Sequence, residues 1–173
     1  MITNVLISAV ATLSTKVTDF NNIIKVDYAP IVISERYYYN NPIIEIPKVN
    51  LKKEVYPNDL YLNNVDRNIQ VISGSSMPNV IHGNLILASH SGSSSIAYFK
   101  HLDMLSYNDV VYIYYKDKKY KYVIGDIYDV PKTGYVEIKR RQEVNAVTLI
   151  TCKKGTNMQT IYIGYLISLE KTP

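Results

Sequence analysis

From Asn41 onward, apolar and polar residues alternate through much of the chain, which is the pattern of half-buried β-strands. In the segment PIIEIPKVNLKKEVY (42–56), the alternation is interrupted at Pro47, which cannot donate a backbone hydrogen bond within a sheet. The pattern predicts a strand, a bend at the proline and a second strand.

Further runs have the residue types of extended structure. They are Asn84–Ser89, Val110–Tyr115, Lys119–Val130, Ala146–Thr151 and Thr160–Ile167. Between the first two, Ile96–Leu105 carries apolar residues at helical spacing, which predicts a short amphipathic helix on the outside of the sheet. Together the runs predict a mostly β domain over residues 41–173, a closed barrel of about eight strands with one or two short helices.

Residues 1–40 differ from the rest of the chain. Ile2–Leu13 is mildly apolar, but it is much shorter than the ~20 residues of a membrane span, and no basic residue precedes it. We interpret it either as the trimmed remnant of a membrane anchor or as an amphipathic first helix. Thr18 then begins a second, capped helix that runs toward Pro30.

Composition and charge agree with one strand-rich globular domain. The chain has 173 residues, 47% of them hydrophobic and 20% charged, with 17 tyrosines and no tryptophan. The net charge is +4, but the lysines are scattered and form no long basic block. Since a nucleic-acid-binding protein needs clustered positive charge, we expect no nucleic-acid partner.

The first candidate catalytic residue is Cys152, the single cysteine. It follows a buried-strand pattern and precedes two lysines. One cysteine has no intramolecular disulfide partner and cannot build a metal site alone, so no metal is expected. Cys152 is therefore either an inert core side chain or a nucleophile.

A nucleophilic thiol needs a base, and the chain has three histidines. His82 lies in a turn sequence and His101 lies within the predicted helix. His90 directly follows the strand NLILAS and precedes the small-residue loop SGSSS, a place where catalytic residues are common. Taken alone, His90 is more simply explained as a strand-end residue bonded to the backbone.

Cys152 and His90 support each other, because in a barrel both can project from the same rim. The thiolate is the reactive form of cysteine, and an imidazolium or the neighbouring Lys153 and Lys154 would stabilise it. In such a pair the thiolate attacks a carbonyl and the histidine protonates the leaving amine. The pair predicts acyl transfer.

These residues resemble the sortases, cysteine transpeptidases of mainly Gram-positive bacteria. TLITC (148–152) is similar to the family's TLxTC motif, and GNLILASHSG (83–92) is similar to the strand that ends in its catalytic histidine. NNVDRNIQVISGSSMPN and FKHLDMLSYNDVVYIYY resemble the family's preceding segment and its helix, turn and strand. The resemblance covers Pro42–Ile167 in consistent order.

The resemblance implies a sortase-like barrel in which Cys152 and His90 are catalytic and Thr151 and Ser91 bind substrate. It implies cleavage of an LPxTG-like sorting signal through a thioacyl intermediate and transfer to a cell-wall amine, without a cofactor. The implied partners are surface proteins with a C-terminal sorting signal and a cell-wall precursor amine. The implied location is the extracellular face of the cytoplasmic membrane of a Gram-positive bacterium. A membrane anchor is one way in which the protein would be held there.

One position departs from the family pattern. Sortases place an arginine at the start of the last strand, where it supports the substrate carbonyl and the oxyanion. Aligning TIYIGYLI by Gly164 puts Gln159 there, and no arginine follows Arg141. A glutamine amide donates only a neutral hydrogen bond, so we expect weakened catalysis. Two alternatives stay open: a loop Gln159 with Lys153 or Lys154 in the arginine's role, or a weakly active or non-catalytic peptide-binding module.

Overall fold

Eight β-strands and two short 3₁₀ helices form the regular structure of residues 41–172, the part of the chain that the computed structural model describes. The strands are β1 (Ile43–Ile46), β2 (Leu51–Glu54), β3 (Gln70–Val71), β4 (Asn84–Ala88), β5 (Val110–Tyr115), β6 (Lys118–Pro131), β7 (Ala146–Cys152) and β8 (Met158–Lys171). The 3₁₀ helices are Pro47–Val49 and Leu102–Met104. The predicted N-terminal segment, residues 1–40, lies outside the described residues.

All eight strands belong to one sheet, in the order β2-β1-β5-β6-β8-β7-β4-β3. Every neighbouring pair is antiparallel except β4 and β7, which are parallel. The sheet curls until its edges meet at one β-bridge, between Tyr56 and Gln70. Nearby, Nδ2 of Asn68 donates to the carbonyl oxygen of Glu54 at 3.0 Å. The predicted mostly β, barrel-like fold is confirmed.

The strands predicted from alternation are present with small changes at their ends. The strand, bend and strand predicted around Pro47 are β1, a 3₁₀ turn and β2, which pair with Ile46 opposite Leu51. β3 has no counterpart among the predicted strands, because two residues are too few to display a period.

The helix predicted over Ile96–Leu105 is wrong: this segment is a series of turns that contains only the 3₁₀ helix Leu102–Met104. Its apolar residues recur every third position, which matches the 3.0 residues per turn of a 3₁₀ helix better than the 3.6 of an α-helix. Phe99, Leu102 and Leu105 are nevertheless buried in the core, as the pattern of apolar residues required.

β7 is covered on both faces, and all residues from Ala146 to Thr151 are buried. Successive side chains of a strand point to opposite faces, so β7 contributes to two apolar clusters. Val147 and Leu149 pack in the main core, whereas Ala146 and Ile150 pack in a second cluster with residues of the segment between β6 and β7. This double burial accounts for the nearly continuous apolar run of its sequence.

Gly164 lies where β8 passes between β6 and β7. A Cβ atom built on Gly164 would lie 3.1 Å from Cβ of Tyr122 and 3.1 Å from Cγ1 of Val147. Both neighbours are fully buried side chains, so neither can move away without disturbing the core. The small residue at this position is therefore a requirement of packing.

We expect Gly164→Val to lower the free energy of unfolding by about 1–3 kcal/mol, because its branched side chain would overpack the interior. Gly92→Val is the matched control, since no atom lies within 4 Å of a Cβ built on Gly92. Urea unfolding followed by circular dichroism makes the comparison. Equal losses in the two variants would contradict the close packing at Gly164.

Candidate active site

The parallel pairing of β4 with β7 brings the ends of these strands to the same edge of the sheet. In this ladder Ala88 lies opposite Ile150. His90 and Cys152 each come two residues later, so both lie at this edge. The two residues that the sequence paired as base and nucleophile are therefore neighbours in the fold.

Thr151 and Ser91, the predicted substrate-binding residues, are largely buried at the same edge. Oγ1 of Thr151 donates to the carbonyl oxygen of Ser89 at 2.9 Å. The backbone N–H of Ser89 donates in turn to the carbonyl oxygen of Ile150 at 3.3 Å. Thr151 thus fastens the end of β7 to the end of β4, and its contact with substrate stays a prediction.

His90 is partly exposed and is paired with a carboxylate. Its Nε2 lies 3.0 Å from Oδ1 of Asp66, which belongs to the segment between β2 and β3. An ionised carboxylate can only accept, so Nε2 carries a hydrogen, and in the neutral imidazole Nδ1 is the basic nitrogen. The side chains of His90 and Asp66 are 42% and 72% exposed, so the pair lies at the surface, within reach of a substrate.

Sequence reasoning missed Asp66. It precedes His90 by 24 residues, in a segment without strand or helix periodicity. Its backbone N–H donates to Oδ1 of Asn64 at 2.8 Å, so its local environment is that of an ordinary turn residue. Only the folded sheet brings its carboxylate to His90.

Cys152 is a partly buried thiol at the end of β7 with no disulfide partner. The next side chain, Lys153, donates from Nζ to Oδ2 of Asp129 in β6 at 2.5 Å. Oγ1 of Thr160 donates to Oδ1 of the same carboxylate at 2.7 Å. These two hydrogen bonds hold the pKa of Asp129 below its usual range, so it stays ionised at neutral pH.

Lys154 is also engaged. Its Nζ donates to the carbonyl oxygen of Lys100 at 2.7 Å and lies 3.2 Å from Oδ2 of Asp103. Both ammonium groups that follow the cysteine are therefore held by carboxylates or a backbone carbonyl. This arrangement argues against a lysine in the arginine's role.

The cross-strand neighbour of the cysteine is Gln159. It lies in β8 directly opposite Cys152, so the alternative that Gln159 is a loop residue is wrong. Directly opposed residues share a face of the sheet, with Cβ atoms about 4.5–5.5 Å apart. A long amide side chain at this position is within reach of a group bound at the sulfur.

Two cavities flank the β7–β8 pair. The first, the polar cavity, has a volume of about 440 Å³, and Cys152 is among its lining residues. Its other polar lining residues include Ser91, Thr151, Asp103, Asp129, Lys153 and Lys154. The second, the apolar groove, has a volume of about 370 Å³ and includes Gln159. Its apolar lining residues include Ile72, Ile86, Ala88, Val136, Ile138 and Ile150.

The cavities lie on opposite faces of the sheet. Phe99 and Tyr162, which line the polar cavity, belong to the main core, whereas Ile150, which lines the apolar groove, belongs to the second cluster. Cys152 and Gln159 are paired across the strands and border different cavities. Cys152 is the last residue of β7, so it borders the polar cavity at the end of the strand.

Within residues 41–172, no group of three or more His, Cys, Asp or Glu side chains is arranged to hold a metal ion. Over the same residues, no helix has the length and apolar character needed to cross a membrane.

Comparison with known families agrees with this geometry. The family model described as the Sortase domain matches residues 44–166, more than half of the chain. The chain belongs to the sortase family. The matched range includes His90, Cys152 and Gln159, and the resemblance drawn from TLITC and GNLILASHSG is confirmed. No curated protein sequence matches this sortase.

Solved sortase structures are similar in fold. Sortase A of Listeria monocytogenes has a TM-score of 0.64 at 21% identity, covering 76% of this chain and 90% of its own. A lid mutant of sortase A from Corynebacterium diphtheriae has a TM-score of 0.66 at 18% identity, covering 79% and 74%. Sortase C of Clostridium perfringens has a TM-score of 0.60 at 26% identity, covering 73% and 68%.

The arginines in the described part of this sortase are engaged by tyrosine rings or backbone carbonyls. Arg141 stacks on the ring of Tyr165 at 3.6 Å. Tyr165 lies six residues further along β8 than Gln159 (159 to 165), or about 20 Å at ~3.3 Å per residue. Arg67 stacks on a tyrosine ring at 3.9 Å, and Arg140 donates to a backbone carbonyl at 2.9 Å. That Gln159 stands at the family's arginine position stays a prediction from the alignment by Gly164.

Proposed function

We propose that this sortase is a cysteine transpeptidase that cleaves an LPxTG-like sorting signal and transfers the acyl part to a cell-wall amine. The observation that carries the proposal is the placement of Cys152 and His90 at adjacent ends of parallel strands. The apolar groove beside them and the family membership support it further.

The reaction has two halves. In the first, the thiolate of Cys152 attacks the scissile carbonyl; the S–C bond forms, the C–N bond breaks, and His90 gives its proton to the leaving amine. In the second, an acceptor amine attacks the thioester and gives its proton to His90 while the C–S bond breaks. Thiolate and imidazolium are regenerated, so no cofactor is consumed.

Asp66 is a positioning residue for His90 in this proposal. Its carboxylate accepts from Nε2 at 3.0 Å and so leaves Nδ1 to move the proton. Because both side chains are well exposed, the pair is worth only about 0.2–1 kcal/mol. Asp66 therefore makes only a small contribution to the orientation of the His90 imidazole.

The apolar groove is the proposed site for the sorting signal. It is lined by outward-facing residues of β4 and β7, the strands that end at His90 and Cys152. A peptide lying along these strands would bury apolar side chains against Ile86, Ala88 and Ile150 and present its carbonyl at the cysteine.

Gln159 is the proposed donor to the oxyanion, because it faces Cys152 across the β7–β8 ladder. A neutral amide bond is about half as strong as a charge-assisted one, so stabilisation of the oxyanion should be weaker than with arginine. The same substitution favours a second candidate function, a weakly active or non-catalytic module that binds sorting peptides in the apolar groove.

The proposed partners are surface proteins with a C-terminal sorting signal and a cell-wall precursor that carries an amine. Both are found outside the cytoplasmic membrane of Gram-positive bacteria, so we place the activity at its extracellular face.

A peptide of the LPxTG type that carries a thiol-reactive group should add one adduct to the protein, and Cys152→Ala should prevent it. His90→Ala should slow cleavage of the unmodified peptide by about 10²–10⁴-fold, as expected for loss of a general acid and base. Intact mass and single-turnover kinetics measure the two effects, with a scrambled peptide as control. Full cleavage by both variants would refute the assignment, and binding without cleavage would favour the peptide-binding module.

Gln159→Arg should raise the single-turnover acylation rate, because a guanidinium offers charge-assisted donors to the same oxyanion. Gln159→Ala should lower the rate, because losing one neutral donor raises the activation free energy by ~1–3 kcal/mol. Lys154→Ala is the control, since its ammonium group is held by Asp103 and a backbone carbonyl. Unchanged rates in both Gln159 variants, or a large loss in Lys154→Ala, would show that the donor lies elsewhere.

Asp66→Ala should slow acylation about two- to fivefold without weakening peptide binding, which corresponds to the small energy of an exposed pair. Asp66→Asn should recover most of the rate, because its amide oxygen can still accept from Nε2. Asp59→Ala, an exposed aspartate in the same segment, is the matched control. If Asp66→Asn lost as much as Asp66→Ala, orientation by a hydrogen bond would be the wrong explanation.

A further inference from the structure

The edge of the sheet opposite from Cys152 carries a surface that the proposed reaction does not use. At this edge β8 continues past the start of β7, because Ala146 pairs with Tyr165 and β8 runs on to Lys171. The tip of the β5–β6 hairpin lies beside the end of β8. The turn that leads into β4 lies at the same edge, because the parallel strands β4 and β7 start together. This surface, called the basal surface below, consists of residues 77–83, 115–119 and 166–171.

We propose that the basal surface docks on a membrane whose surface carries anionic lipid headgroups. Its exposed apolar side chains enter the lipid and its lysines bind the headgroups, so that Cys152 faces away from the membrane. The basal surface lies outside the candidate active site, and the inference does not rest on the proposed transpeptidase reaction.

Large apolar side chains of the basal surface are exposed. Ile81, in the turn before β4, is 81% exposed, and Val80, Ile167 and Leu169 are each exposed by about half. The turn and the end of β8 are neighbours through Asn145. Its Nδ2 donates to the carbonyl oxygen of Val80 at 2.8 Å, and its own carbonyl oxygen accepts from the backbone N–H of the residue before Ile167 at 2.9 Å. Exposed apolar side chains grouped among polar ones mark contact with a membrane or a protein.

The turn that carries Ile81 is held by residues from a distant part of the chain. Oδ1 of Asn145 accepts from the backbone N–H of His82 at 2.6 Å, and Nη2 of Arg140 donates to the carbonyl oxygen of His82 at 2.9 Å. These bonds stabilise a φ of +56° at His82, a conformation that residues other than glycine rarely adopt. An apolar tip that is already fixed enters lipid with little further cost of ordering.

The basal surface has more lysines than carboxylates. Its charged residues are Lys116, Asp117, Lys118, Lys119, Glu170 and Lys171. None of these lysines forms an ion pair within residues 41–172, although Lys116 and Lys119 lie over tyrosine rings at 5.3 and 4.2 Å. By contrast, Lys153 and Lys154 beside the cysteine are each paired with an aspartate. An anionic lipid surface complements this unpaired positive charge beside exposed apolar side chains.

The chain enters the described domain at the same edge. β1 starts at Ile43, which pairs with Tyr114 just before the hairpin tip. The preceding part of the chain therefore joins the domain beside the basal surface, and one interpretation of Ile2–Leu13 is the remnant of a membrane anchor. Along β8, Lys171 lies twelve residues from Gln159 (159 to 171), or about 40 Å at ~3.3 Å per residue. Docking at the basal surface thus leaves the candidate active site accessible.

Sedimentation of the full chain with lipid vesicles tests the lysines. Vesicles that contain phosphatidylglycerol should bind the protein more tightly than vesicles of phosphatidylcholine alone, and high salt should reduce the difference. Lys116→Gln combined with Lys118→Gln should weaken binding to the anionic vesicles roughly 20-fold, from about fivefold for each lysine near the surface. Lys100→Gln combined with Lys132→Gln is the matched control, because it removes the same charge at the edge that carries Cys152.

Fluorescence tests the apolar tip, because the chain has no tryptophan and a single introduced indole reports its own surroundings. The emission of Ile81→Trp should shift to shorter wavelength when anionic vesicles are added, and brominated lipid should quench it. Tyr61→Trp is the control, because Tyr61 is similarly exposed and stacks on Arg67, next to the aspartate that contacts His90 at the other edge.

Equal responses of the two tryptophan variants, or equal binding by the two pairs of lysine variants, would overturn the basal surface as the docking site. The second result is also the one expected if residues 1–40 alone carried the binding. Acylation of Cys152 by a peptide in solution is measured without vesicles, so failure of the proposed reaction and failure of the docking surface are distinguishable.

Discussion

The parallel pairing of β4 with β7 is the constraint on which the candidate site depends. All other neighbouring strands among the described residues are antiparallel. Had β4 run antiparallel to β7, the residue after its end would lie at the opposite edge of the sheet from Cys152. Parallel strands end at the same edge, and the hydrogen bond from Thr151 to the carbonyl of Ser89 fastens those ends. The tertiary fold, and not local sequence, therefore makes a pair of His90 and Cys152.

Burial of β7 on both faces follows from the same pairing. Because β7 lies between β4 and β8, its backbone groups are satisfied on both sides, and its side chains divide between two apolar clusters. The strand is thereby a rigid wall with a cavity on each face. The end of this strand, where Cys152 lies, is thus held between two cavities of different chemistry.

The sequence predicted the strands well because a two-residue period needs only a few positions to be recognised, as in Val110–Tyr115, which has the same bounds in the structure. It also pointed to the ends of β4 and β7, where His90 and Cys152 lie at the same edge of the sheet, although their catalytic roles stay predictions. It failed at Ile96–Leu105, where a spacing of three was taken for an α-helix, and it could not find Asp66. No local pattern marks a turn aspartate that the fold brings beside a histidine 24 residues later.

The charges of the site are separated between the two faces of the β7–β8 pair. The polar cavity holds aspartates and lysines in neutralising pairs, so Lys153 and Lys154 exert less field on the nearby sulfur than unpaired cations would. The apolar groove has no charged lining residue, and the alignment by Gly164 predicts that its Gln159 stands at the family's arginine position. In the reaction that we propose, His90 moves the proton and the neutral amide of Gln159 is the donor to the oxyanion. The chain keeps the fold of a sortase, and in the proposed reaction a neutral amide takes the place of a charged donor.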